Sequence, residues 1–258
     1  MDIIADLHTH SSFCDHAFST IDENAREAAK RGLRFLGVTE HTRSIPGAPS
    51  VNYFRSLLHN FPDELFGVKI IKGAEVNIID EKGRLDMGAS TLGMLHWVIA
   101  SMHDICFKPV DIEAHTEAWL AVARNPLVHV IGHCDNPKYL FDHERVIPEF
   151  AAQGKIVEIN NHSAGARPGS EVECQKIIKL LKKHKVRTIV SSDAHHCSQV
   201  GVFDRVLCML RENDFPQELI LNADYERFLK TINDITGLDW SQKSEFEVSG
   251  KSDYSQNP

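Results

Sequence analysis

Seven short runs rich in Ile and Val recur along the 258-residue chain, at positions 3–7, 34–38, 69–74, 97–101, 128–131, 155–159 and 187–191, with stretches of helical period between them. Each run is continuous rather than alternating, as for a strand covered on both faces, which constrains the chain to repeated βα units around a parallel sheet. The spacing predicts helices over 21–31, 111–124, 144–153 and 170–183, with further helical segments near 201–211 and 223–235. Ser19 or Thr20 is placed to cap the first of these and Gly32 to end it, while Cys174, Ile177, Ile178 and Leu181 give the fourth its apolar stripe. A closed or nearly closed barrel and an open doubly wound sheet share this pattern, and periodicity does not choose between them.

The side chains at the strand ends narrow the function. The first run leads into His8-Thr9-His10, with His16 close behind; the second ends at Glu40-His41, the third at Glu75, the fourth at His103, the fifth at His133 and the seventh at Asp193-Ala194-His195. In a parallel barrel all carboxyl ends of strands share one face, so residues remote in sequence converge over a single mouth. Positions i and i+2 of a strand point to the same side, which lets His8 and His10, or Asp193 and His195, grip a common ion. A single histidine at a sheet rim is as readily a hydrogen-bonded polar residue, but seven with two carboxylates at one end form a ligand cluster. His59, His96, His115, His129, His143, His184 and His196 fall off this template and read as surface or packing residues.

Composition excludes several classes. A net charge of −8 disfavours a nucleic-acid or anionic-membrane partner. The amino terminus lacks the basic start and long apolar stretch of a secretory signal, so a cytoplasmic location is expected. The six cysteines lack the spacing of a disulfide framework or zinc ribbon; Cys14 and Cys134, beside His16 and His133, read as small buried hydrophobes. One domain over 1–240 is expected, followed by a polar, disordered tail over 241–258. A homo-oligomer is compatible with all of this.

The motifs Asp6-Leu7-His8-Thr9-His10, Thr39-Glu40-His41, Gly73-Ala74-Glu75-Val76, Ser101-Met102-His103, Gly132-His133 and Ser192-Asp193-Ala194-His195 together resemble the polymerase and histidinol phosphatase (PHP) family, and within it the YcdX-type phosphatase branch. The resemblance spans roughly residues 1–240. It implies a distorted seven-stranded (β/α)7 barrel of TIM-like form and a trinuclear metal centre, most often zinc, with manganese or iron as alternatives. Carried over by position, it places His8, His10, Glu75 and Asp193 on one ion and His16, His41 and His195 on a second. His103 and His133 take the third, with Glu75 bridging it to the first.

Imidazole and carboxylate ligands suit such ions, which activate water at neutral pH, so the expected chemistry is attack of a metal-bound hydroxide on a small phosphomonoester. Asp193, Glu75 and His195 are the expected catalytic residues, with Asp193 or a metal-bound water as the proton donor to the leaving group. Arg167, in the loop after the sixth strand, Arg43 after His41, and His162 are the candidates for substrate binding, each weighed against an ordinary solvated loop residue. Three other readings compete with this phosphoric monoester hydrolase: a phosphodiesterase or nuclease, an amidohydrolase-like enzyme, and a non-catalytic metal-binding module.

Overall fold

The computed structural model describes residues 1–241, so the expected tail lies, apart from Ser241, outside the described residues. Parallel strands β1 (Ala5–Asp6), β2 (Phe35–Val38), β4 (Val68–Asn77), β5 (Trp97–Ser101), β6 (Val130–Ile131), β7 (Ile156–Asn160) and β8 (Thr188–Ser191) are hydrogen-bonded in that order. A short β3 (Glu64–Leu65) runs antiparallel to β4 outside this path and has no counterpart in the sequence expectation. The sheet curls into a distorted (β/α)7 barrel, because the extensions of β1 and β8 meet in a parallel bridge between Thr9 and Ala194, where His10 N donates to Ala194 O at 2.8 Å.

At the opposite, amino-terminal end the first and last strands do not pair directly. Asn222 fills the gap: its Nδ2 donates to Ala5 O at 2.8 Å and to Val190 O at 2.7 Å, and its Oδ1 accepts from Val190 N at 3.1 Å. Its backbone carbonyl accepts from Ile4 N at 2.9 Å. One fully buried amide thus replaces the missing ladder between two strands.

Two apolar layers follow from the alternation of side chains along each strand. Trp97 and Ile99 of β5 belong to the barrel interior with Phe35, Ile71, Val130 and Ile189; Val98 and Ala100 face the outer helices. The helices are α1 (Ile21–Lys30), α2 (Val51–Asn60), α3 (Ala89–Leu92), α4 (Ile112–Arg124), α5 (His143–Ala152), α6 (Ser163–Ala166), α7 (Ser170–His184), α8 (Asp204–Glu212) and α9 (Tyr225–Thr236). Phe228 and Ile232 of α9, with Trp240 after it, join the interior set and close it from one side.

Helix α1 begins as its sequence dictates: Thr20 Oγ1 accepts from Glu23 N at 3.2 Å while Thr20 N donates to Glu23 Oε2 at 2.7 Å, a reciprocal cap. It ends with Gly32 at φ +78°, a conformation glycine adopts at no steric cost. No helix among the described residues is long and apolar enough to cross a membrane.

Candidate metal centre

The carboxyl ends of the strands gather the expected residues around one carboxylate. Glu75, fully buried, lies within β4, which continues to Asn77 rather than stopping at 74. Its Oε2 lies 3.4 Å from His8 Nε2, 3.6 Å from His10 Nε2 and 2.7 Å from His41 Nδ1. Its Oε1 lies 2.8 Å from His133 Nε2 and 3.5 Å from His103 Nε2. Each oxygen therefore serves a different group of imidazoles, as a bridging carboxylate does.

Asp193 stands opposite. Its Oδ1 is 3.2 Å from His10 Nε2 and 3.5 Å from His8 Nε2, while its Oδ2 accepts from Asn160 Nδ2 at 3.1 Å and Arg167 Nη2 at 3.3 Å. His10, His41 and His195 form a second compact set, with the His10 ring centroid 4.2 Å from that of His41 and 4.5 Å from that of His195. His16 borders this set, its ring 5.0 Å from His41 and 5.1 Å from His195, with 40% of its side chain exposed.

Ligation requires unprotonated nitrogens aimed inward, and neighbouring acceptors fix them so. His8 Nδ1 donates to Glu158 Oε1 at 2.6 Å, His103 Nδ1 to Asn77 Oδ1 at 2.7 Å, and His195 Nδ1 to the Asp193 carbonyl at 2.9 Å. These tautomers follow from acceptors that carry no proton to give, and each leaves its Nε2 lone pair free. Backbone conformation contributes as well: His133 has φ +23° and Asp193 φ +54°, strained values for residues with a side chain. In that conformation His133 N donates to Glu158 Oε2 at 2.7 Å.

The donor set fits divalent cations. His8 Nε2, both ring nitrogens of His10, His41 Nδ1 and Glu75 Oε2 are buried without a hydrogen-bond partner. Each such atom costs about 1–3 kcal/mol if left unsatisfied, and so many at one point are explicable as ligands. Nitrogen and carboxylate donors together match zinc, manganese or iron. The charges agree in direction: burial raises the Glu75 carboxyl, but His41, His8 and His103, with the bond from His133, hold it well below the usual carboxylate range. Burial likewise works against Asp193, yet His8, His10, His195 and Arg167 keep it well below its ordinary value, an anion suited to ligation.

Of the substrate-binding candidates, Arg167 reaches the centre, held by Asp193 and by Ser163 Oγ at 3.3 Å, with 13% of its side chain exposed. His162 stacks on His195 with ring centroids 5.7 Å apart. Arg43 is exposed, and among the described residues no hydrogen bond or ion pair joins it to the centre. Cys14 is buried and its thiol donates to Glu40 Oε2 at 3.1 Å; Cys134 is buried too. The off-template histidines stay outside, as in His115, whose Nε2 accepts from Val110 N at 2.9 Å.

Glu158, Asn160 and Asn77 were not among the sequence candidates, although a carboxylate in the middle of an apolar strand is a visible signal. Glu158 carries His8 on one oxygen and the His133 backbone on the other, with Ser191 Oγ and Asn160 also donating to it. Replacing it by Gln frees His8 to rotate, and zinc affinity falls about 10- to 100-fold, as for other residues that orient a ligating imidazole. Competition against a fluorescent zinc chelator reads this out, and an affinity equal to wild type would contradict the role.

A family model described as PHP domain matches residues 6–237. A "probable phosphatase" of Acetivibrio thermocellus is 42% identical over 88% of this chain and 94% of its own length. Another from Caldanaerobacter subterraneus subsp. tengcongensis is 44% identical over 87% of this chain and 89% of its own. The fold is shared with a histidinol phosphate phosphatase from Lactococcus lactis, solved with zinc, L-histidinol and phosphate, at TM-score 0.58 and 19% identity over 82% of this chain and 94% of that one.

Proposed function

The chain belongs to the PHP domain family, and from that premise we propose that it is a metal-dependent phosphatase hydrolysing small phosphomonoesters at a centre of three divalent ions, zinc foremost. One observation carries the reading: five imidazoles converge on a single buried carboxylate, Glu75, with the inward nitrogens of His8, His10 and His41 left without hydrogen-bond partners, and Arg167 stands beside them. His8, His10, Glu75 and Asp193 would hold one ion; His41 and His195, with His16 at the rim, a second; His103, His133 and Glu75 the third. Ions so held lower the pKa of water and offset the charge that develops on phosphoryl oxygens.

The protein's own groups then orient the ester. The Arg167 guanidinium, fixed at 3.3 Å from both Ser163 Oγ and Asp193 Oδ2, has further N–H donors for a phosphoryl oxygen. A charge-assisted donor already in place needs no reorganisation when negative charge builds up during in-line displacement. Glu158 and Asn77 keep His8 and His103 in a single tautomer throughout. His162 offers a ring nitrogen from the loop above His195.

The test pairs elemental analysis with hydrolysis of p-nitrophenyl phosphate and bis(p-nitrophenyl) phosphate. Metal near three ions per chain, a faster monoester, and a loss of about 100-fold or more on chelation that zinc or manganese restores are the expected results. Faster bis-ester cleavage would favour a diesterase, and fewer than two ions or chelator-insensitive turnover would end the metal-dependent reading.

A further inference from the structure

Beside the metal centre lies a cavity of about 390 Å³ that the chemistry above does not use. His162, whose ring stacks on the metal-facing His195, is part of its wall, so the cavity opens from the rim where the phosphoryl group would be held. The rest of the lining includes Asn161, Ser198, Gln199, Gly165 and Arg205, and it contains no carboxylate. That is unusual in a chain of net charge −8. The nearby acids Asp135, Glu171 and Glu212 line a separate cavity of about 290 Å³, to which Arg205 also contributes a wall.

Arg205 is held by its backbone and not by its side chain. Asn161 Oδ1 accepts from Arg205 N at 3.1 Å and from Val206 N at 3.3 Å, which caps α8 and fixes where the side chain departs. The guanidinium crosses Gly165, its Nη1 4.0 Å from where a side chain there would begin, and among the described residues it makes no hydrogen bond or ion pair. Arg205 is exposed on the wall shared by the two cavities, and on the side free of acids its planar fork, without a side-chain partner among the described residues, stands with hydroxyl and amide groups and is matched to a carboxylate or a phosphate.

We propose that this cavity receives the leaving-group half of the substrate and that Arg205 pairs there with an anionic substituent. The substrate class is then a phosphomonoester bearing a second anionic group. The inference rests on the phosphatase reading and adds to it a specificity-determining residue at a distance from the metals.

Two substrate pairs test it: 3-phosphoglycerate against glycerol 3-phosphate, which differ by a carboxylate, and fructose 1,6-bisphosphate against fructose 6-phosphate, which differ by a phosphate. The expected result is a kcat/KM about tenfold or more higher for the doubly anionic member of at least one pair, with the pair identifying the anion. In Arg205→Gln that ratio collapses toward one through a rise in KM for the anionic member. Arg205→Lys, which keeps the charge without the fork, recovers part of it and guards against a folding defect in the first variant. Ratios near one in both pairs, or a preference that survives in Arg205→Gln, overturn the subsite while leaving the phosphatase intact. No phosphate release from any of the four, with p-nitrophenyl phosphate hydrolysed by the same preparation, overturns the subsite alone; no release from p-nitrophenyl phosphate either sinks the phosphatase reading and this subsite with it.

Discussion

Replacing Glu75 by Gln lowers phosphomonoester turnover by about 10³-fold or more, because the substitution keeps the shape of the side chain and removes the charge that two groups of imidazoles share. The reasoning is geometric. Oε2 faces His8, His10 and His41, Oε1 faces His103 and His133, and an amide can present only one acceptor atom. Its NH₂ would point at one imidazole group and repel any cation there, so metal content should fall by at least one ion per chain. Elemental analysis and phosphate release on the same preparation check both halves. Full metal content with wild-type turnover in Glu75→Gln would remove the bridging role.

The second large effect lies at the other end of the barrel. Asn222→Ala strips the seam of its amide and leaves Ala5 O, Val190 O and Val190 N without partners in a buried position. Each orphaned group costs about 1–3 kcal/mol, so a stability loss of about 3–5 kcal/mol is expected, near the upper end for point substitutions. Asn222→Asp should be no better, since a carboxylate cannot donate to the two carbonyls and would be buried beside them. Denaturant unfolding measures both, and a midpoint close to wild type in Asn222→Ala would show that water or a neighbouring segment replaces the amide.

The parallel βα pattern was legible because strands buried on both faces leave uninterrupted apolar runs, closure into a barrel was implied by the family motifs, and the convergence of candidate ligands was legible because six of the seven runs end in a metal-capable residue. Other features left weaker traces. Helix α2 buries only Phe54 and Leu57, too few positions for a stripe, and its preceding Ser50 makes no capping bond. Glu158 and Asn77 were hidden for a different reason. Within a strand covered on both sides, sequence alone does not say whether a polar residue faces the centre or the helices. Strand β4 is longer than its apolar run, which Glu75 breaks while the ladder continues to Asn77. Arg205, on a helix with polar neighbours, looks like any solvated position until the fold sets it over Gly165.

His8 and His10 follow the first strand and Asp193 and His195 the last, and the bridge from Thr9 to Ala194 is where the two ends of the sheet meet. A growing polypeptide thus displays its earliest histidines long before the acid that must face them has been synthesised. Completion of the proposed centre belongs to the final act of assembly, because a chain interrupted before residue 193 would carry six of the seven clustered imidazoles and Glu75 but lack Asp193 and His195.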